Sequence, residues 1–210
     1  MQNQTHTTQD VFQKKQDEKI LVVSKQKLFV HETFDGIKNV NFKDYQKIIE
    51  MHKKFLWRSK METNENYKQI IPYLIFTNDN KYFLMERKST ASEKRLKSKC
   101  SLGIGGHIRE EDLQKKSIVE WAKREFHEEV SYNGNLTIEP IGLLNDESDS
   151  VGRVHTGFVF LLRGDSDEIS INDEHKSGTL LTLEECKMLY PRMEHWSQIV
   201  FNYLKKLPAY

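Results

Sequence analysis

One stretch constrains the fold more than any other: residues 114–130, which read as a helix with two incompatible sides. Ile118, Ala122, Phe126 and Val130 recur at helical spacing and can bury against a sheet. Glu125, Glu128 and Glu129 stand at i, i+3 and i+4 and therefore share another face. Like charges at that spacing repel by a few tenths of a kcal/mol per pair. Arg124 reaches Glu128 at i+4 and Glu120 at i−4, but it leans to a different side. In isolation, such a helix is ordinarily a solvated acidic face. The glycine pair Gly105-Gly106, about one helix length upstream, changes that reading. Glycine lets a backbone approach a ligand closely, so a tight loop there can present carbonyl oxygens to the ion that offsets the glutamates. Oxygen-only ligation suits Mg²⁺ or Mn²⁺.

Around this helix the apolar pattern turns to strands. Ile70–Phe76 is a continuous apolar run and Lys81–Met85 a second, joined by Thr77-Asn78-Asp79-Asn80, which has turn chemistry. Further strands are predicted at Leu136–Leu144, Val154–Arg163 and Thr179–Leu183. Thr182-Leu183-Glu184-Glu185 resembles a capping box opening a short helix, and a last helix is predicted from Glu194 to Lys205. Upstream, Ile20–Val23 and Leu28–Val30 suggest a hairpin, followed by a helix at Phe42–Leu56. Strands, one central helix, strands and terminal helices imply an α+β fold or a layered α/β/α sandwich. The expected organisation is a mobile tail at 1–17, an N-terminal lobe at 18–68 packed on the main domain, and the main domain with its C-terminal helices at 69–210. No Gly/Ser linker separates the last two.

Composition narrows the function. The 32 Lys and Arg balance 31 Asp and Glu, so no bulk charge points to nucleic acid or a membrane surface. Cys100 and Cys186 have no metal-type spacing, which argues against a disulfide scaffold or a Cys-rich zinc site and favours a reducing compartment. The start MQNQTHTTQD lacks a signal-peptide pattern, and the aliphatic run Ile20–Val23 is far short of a membrane span. A cytoplasmic location is expected. No G-x-S-x-G elbow, P-loop or H-E-x-x-H occurs.

Gly106-x5-Asp112 followed by Arg124-Glu125-Phe126-x-Glu128-Glu129-x-Ser131-Tyr132 resembles the Nudix box, G-x5-E-x7-R-E-U-x-E-E-x-G-U, of the Nudix hydrolases. The likeness spans about Gln69 to Leu183, and its variant form begins Gly-Ile-Gly-Gly-His-Ile. Asp112 stands for the first Glu, Phe126 for an aliphatic residue and Ser131 for the late Gly. Four extra residues separate Asp112 from Arg124. Read as an added helical turn, they rotate the face by only about 40°.

The resemblance implies a Nudix-type α/β/α sandwich with a mixed sheet. It also implies a pyrophosphohydrolase that splits a nucleoside diphosphate from another group with Mg²⁺ or Mn²⁺. Glu125, Glu128 and Glu129 would hold the metal, the Gly105 carbonyl would add a ligand, and Arg124 would orient the glutamates. Asp112 is a weaker candidate. As general base, Glu174 lies before a late strand, with Glu147 (beside Asp146) and His155 as rivals. Arg87, Lys88, Lys94, Arg95, Lys97 and Lys99 crowd the approach to the glycines and read either as a phosphate-binding run or as a solvated loop, and His107 either as a phosphate contact or as a packing residue. Cys100 reads as a small buried residue. The partner is a small nucleoside diphosphate derivative, and the sequence leaves room for a homodimer. The alternatives are a non-catalytic Nudix-fold nucleotide-binding or regulatory module and, lower, isopentenyl diphosphate-type isomerase chemistry, for which no Cys and Glu pair can be placed.

Overall fold

The computed structural model describes residues 17–30, 33–87, 99–114, 117–172 and 176–207. The centre of the fold is the apolar run, which forms β4 (Tyr67–Asn78). Its alternate residues serve two different cores. Ile70, Leu74 and Phe76 face one side of the sheet, and Tyr73 and Ile75 the other. A continuous apolar run is what a strand buried on both faces requires.

β4 lies parallel to β10 (His155–Gly164), in a register pairing His155 with Gln69 and Arg163 with Thr77. β10 pairs antiparallel with β9 (Leu136–Asn145), and β9 with β2 (Gly36–Lys38). On the other side, β5 (Lys81–Arg87) and β12 (Lys176–Thr182) continue the sheet antiparallel. The sheet is therefore mixed. The β4–β5 turn places Asp79 and Asn80 at φ +46° and +61°, the left-handed region that Asn and Asp tolerate.

Helices cover both faces. On one lie α2 (Phe42–His52) and α4 (Ile118–Glu129), which contribute Ile49, Ile118, Trp121, Ala122 and Phe126. On the other lie α5 (Leu183–Leu189) and α6 (His195–Leu204), which contribute Cys186, Val200, Phe201 and Leu204. The expected α/β/α layering is present. The capping box at Thr182 and Glu185 is formed as its sequence indicated. Val130 and Ser131 extend into β8 (Val130–Tyr132), which pairs with β11 (Ile169–Ile171) as a small separate sheet. Among the described residues, no helix is long and apolar enough to cross a membrane.

Three local expectations are corrected. The run Ile20–Val23 forms β1 (Lys19–Ser24), but its partners are β3 (Lys54–Trp57) and β4, not Leu28–Val30. One helical turn, α1 (Lys25–Leu28), carries the chain away, and Leu28 and Phe29 enter the core instead of pairing. The helix expected at Phe42–Leu56 stops at His52. Lys53 is extended, and Leu56 pairs with Ile20 in β3, which leads into the short α3 (Arg58–Met61). The box helix starts at Ile118, not Gln114. The residues before it form a 3₁₀ segment, Glu110–Gln114, and Ser117 caps the helix by accepting a hydrogen bond from the Glu120 N–H. The four-residue extension thus does not add a helical turn. A Ser side chain that satisfies a free N–H favours a start there.

Segment 18–68 shares the sheet and the core with the rest of the chain. β1 pairs with β4, and the Phe42 ring meets Phe158 and Phe160 edge-on, with centroids 5.1 Å away.

Candidate active site

The glycine-rich loop lies directly on β4. Its strand β7 (Ile104–Gly105) pairs with Leu74 and Tyr73, and the Ile108 carbonyl accepts a hydrogen bond from Leu21 N–H at 2.8 Å. Just before it, β6 (Cys100–Ser101) pairs with Met85 and Glu86. Cys100 is fully buried, as its sequence context suggested.

The opposing helix α4 is fixed in rotation by its apolar side. Phe126 stacks on Phe76, with centroids 6.0 Å apart and planes 19° apart. Trp121 donates its indole N–H to the Asp112 carbonyl at 3.0 Å. That rotation brings Glu125 against the loop. A Cβ built on Gly106 would lie 1.9 Å from Glu125 Oε1, so only glycine lets this carboxylate approach so closely. Burial pushes the Glu125 carboxyl above its ordinary pKa. Arg124 pulls it back down, and Glu128 and Glu129 add to the rise.

Arg124 is the hub of the cluster. One terminal nitrogen lies 2.7 Å from both Glu128 oxygens, and the other 3.0 Å from Asp112 Oδ2 and 3.7 Å from Glu125. Burial opposes its charge, but Glu128, Asp112 and Glu125 outweigh that and raise its pKa. Asp112 also accepts the Arg109 N–H at 2.9 Å. The altered spacing therefore still delivers Asp112 to Arg124.

Glu129 and Gly105 line one cavity of about 120 Å³, together with Glu86, Lys99, Ser101 and Glu194. The donors suit a hard cation: they are oxygen only, and one is a buried carboxylate that its arginine neutralises only in part. Glu128 is drawn aside to Arg124. Among the described residues, the trio whose ligand atoms lie within 4.8 Å of one another is Asp146, Asp149 and His195, not the α4 glutamates. Asp146 there accepts from Ser148 N–H and Oγ and meets His195 Nδ1 at 2.7 Å.

The candidate bases are placed differently. Glu147 is held by Lys25 at 2.6 Å, by the fully buried Lys68 at 2.9 Å and by Asn145 at 3.0 Å. Burial alone would raise its carboxyl, but those bonds outweigh it and hold the pKa below the ordinary value. His155 is buried, and burial lowers its pKa. Its Nδ1 contacts the Val151 carbonyl at 2.8 Å, so this nitrogen carries the proton of the neutral ring. His107 Nε2 donates to Gln69 Oε1 at 2.7 Å and faces His155 Nε2 at 3.4 Å. Glu174, Lys88, Lys94, Arg95, Lys97 and the Arg87 side chain lie outside the described residues.

Two cavity residues have no motif around them. Ser101 and Glu194 are ordinary polar residues in sequence. The one available signal was Glu194 at the predicted start of the last helix, and only the fold brings it to the cavity that Glu129 lines.

No family model matches the chain. Protein YmaB of Bacillus subtilis (strain 168) is 33% identical over 206 residues, covering 91% of this chain and 99% of that protein. The crystal structure of Tm1382, assigned to the Nudix hydrolases, superposes with a TM-score of 0.76 at 31% identity, over 89% of this chain and 98% of that one. With the box residues gathered on α4 and the Gly105-Gly106 loop against them, that near full-length likeness settles the family: the chain belongs to the Nudix hydrolases.

Proposed function

We propose that the protein is a metal-dependent pyrophosphohydrolase that cleaves a nucleoside diphosphate linked to another moiety. The observation that carries this is the close approach of Glu125 to Gly106, with Glu129 beside Gly105 on the same cavity. Glu125, Glu128 and Glu129, with the Gly105 carbonyl, would hold Mg²⁺ or Mn²⁺. When bound, such a cation neutralises diphosphate charge and acidifies water. Arg124 positions the glutamates through Glu128 and Asp112. Arg87, Lys94 and Arg95 supply positive charge for phosphate, and Glu174 is the base that the family pattern suggests. His107 is engaged by Gln69 and His155, so its role in this reading is to hold the loop.

The test is nucleotide and phosphate release from a panel of nucleoside triphosphates, dinucleoside polyphosphates and nucleoside diphosphate sugars, with Mg²⁺, with Mn²⁺ and with chelator. Cation-dependent release supports the reading. Binding of panel members without turnover would favour the regulatory module instead.

A further inference from the structure

We propose that Gln69 is a positioning residue for the metal site: through the ring of His107 it fixes the peptide that carries the Gly105 carbonyl. This assignment rests on the metal-dependent reading above.

That peptide joins Gly105 to Gly106, and neither residue has a Cβ to restrict its backbone. Its orientation is therefore imposed from outside. Two backbone anchors hold the loop, one on each side. Before it, Ile104 and Gly105 pair with Leu74 and Tyr73; after it, the Ile108 carbonyl accepts the Leu21 N–H at 2.8 Å. Between these anchors the His107 ring reaches down to the sheet. Its Nε2 lies 2.7 Å from Gln69 Oε1 and 3.4 Å from His155 Nε2.

The base of this clamp is rigid. Gln69 is fully buried, and its backbone is paired on both sides, with Val22 of β1 and His155 of β10. In register on neighbouring strands, Gln69 and His155 project from one face and close on the ring together.

The polarity of every bond in the chain is defined. Gln69 Nε2 donates to the Met61 carbonyl at 3.2 Å. Turning the amide over would set its oxygen against that carbonyl, acceptor against acceptor. Oε1 therefore faces the loop, and His107 Nε2 carries the proton that it accepts. His155 meets the same N–H with a lone pair, because its Nδ1 proton goes to the Val151 carbonyl at 2.8 Å. A buried amide at the start of an apolar run costs stability unless both of its ends are bonded. Here one of the two bonds goes to the glycine loop. An apolar residue could fill the same space but could not orient the ring.

Gly106, the neighbour of His107, is where the Glu125 carboxylate approaches. Holding the ring thus holds both the Gly105 carbonyl and the space that Glu125 occupies. Losing an outer partner of a metal ligand typically lowers metal affinity or activity by about 10–100-fold.

The experiment titrates Mn²⁺ into the full-length chain by calorimetry and measures the thermal midpoint of each variant in parallel. Gln69→Met keeps the length of the side chain and removes both polar ends, and His107→Leu removes the other partner of the same bond. Each should weaken Mn²⁺ binding by about tenfold or more. Gln69→Glu keeps an acceptor for His107, and His107→Gln keeps a donor near the place of Nε2, so each should restore most of the affinity. A thermal midpoint that falls in Gln69→Met while the folded protein binds Mn²⁺ as wild type does overturns the proposal, since Gln69 would then serve packing alone. Equal losses in Gln69→Met and Gln69→Glu, or in the two His107 variants, also overturn it. Should a Gln69 variant fail to fold, the His107 pair decides, because it changes the other end of the bond from a half-buried loop position. Glu125→Gln tests the reading beneath. A wild type that binds no Mn²⁺, or a Glu125→Gln that binds it unchanged, overturns the metal site and this proposal with it. Wild-type binding that is lost in Glu125→Gln confines any failure to Gln69.

Discussion

Replacing Arg124 by alanine tests whether this side chain holds the glutamate cluster together. The guanidinium serves two nearly buried carboxylates, Asp112 at 3.0 Å and Glu125 at 3.7 Å, and one half-exposed carboxylate, Glu128 at 2.7 Å. Removing one member of a buried pair typically costs about 3–5 kcal/mol, whereas an exposed pair contributes about 1 kcal/mol or less. Because Glu125 stands at the longer distance and Glu128 is screened by water, the lower end applies, about 3 kcal/mol near neutral pH.

The sign of the pH dependence follows from Glu125, whose folded-state pKa is already raised, chiefly by burial. A raised carboxyl favours the folded state while protonated, and that contribution is lost as pH climbs through the folded value. Without Arg124 the folded value rises further. The destabilisation should therefore be largest around neutrality and shrink as pH falls toward the ordinary carboxyl range. Urea unfolding of wild type and Arg124→Ala across that pH range measures it. Arg124→Lys should recover only part, since an ammonium cannot reproduce the two-sided fork. A pH-independent loss, or full recovery by lysine, would refute the argument.

Gly106→Ala should cost little stability, because the group it meets is the end of a side chain. It should nonetheless weaken Mn²⁺ binding at least tenfold by expelling the Glu125 carboxylate, as titration calorimetry would show; wild-type affinity would separate Glu125 from the metal. Glu129→Gln should reduce Mn²⁺ affinity and turnover by orders of magnitude while leaving circular dichroism unchanged; full activity under chelation would sink the assignment. Glu147→Ala should destabilise by about 3 kcal/mol, because it strips the buried Lys68 ammonium of its carboxylate. The Glu147 pKa is depressed in the fold, so its contribution is present above the unfolded carboxyl pKa and lost as pH falls through the folded value. A denaturation series whose mutational cost grows toward acid would contradict this. Saturating Mn²⁺ at 100 times its Kd should stabilise wild type by about 2.7 kcal/mol and Glu125→Gln by much less.

Where local pattern and tertiary packing agreed, the sequence was legible. The run Ile70–Phe76 could only be a doubly buried strand, and Ile118, Ala122, Phe126 and Val130 are all buried as their spacing indicated. Failures came where one short segment had two outlets. Leu28–Val30 has strand composition, but burying Leu28 and Phe29 beside α2 outweighed pairing with Ile20–Val23. Leu56 fits the helical spacing of α2, yet the vacant edge of β1 took it as a strand residue. Glu194 and the Lys25–Glu147–Lys68 network were invisible for a different reason. Glu147 stands 122 residues from Lys25 and 79 from Lys68, and Glu194 stands 89 from Gly105 and 65 from Glu129; no local period encodes such contacts.

The box extension shows why spacing alone was a poor guide to this site. The metal site proposed above needs the glutamates at a fixed height and rotation over the glycine loop. Helix length upstream does not set either quantity. Height is fixed where Trp121 bonds the Asp112 carbonyl and where Arg124 grips the Asp112 side chain. Rotation is fixed by Phe126 on Phe76. None of these three contacts involves a residue between Asp112 and the Ser117 cap. The same four residues placed after Ser117 would have pushed Trp121 and Arg124 about 6 Å along the axis, away from Asp112. The position of the serine cap, more than the number of residues in the gap, is what keeps Glu125 facing Gly106.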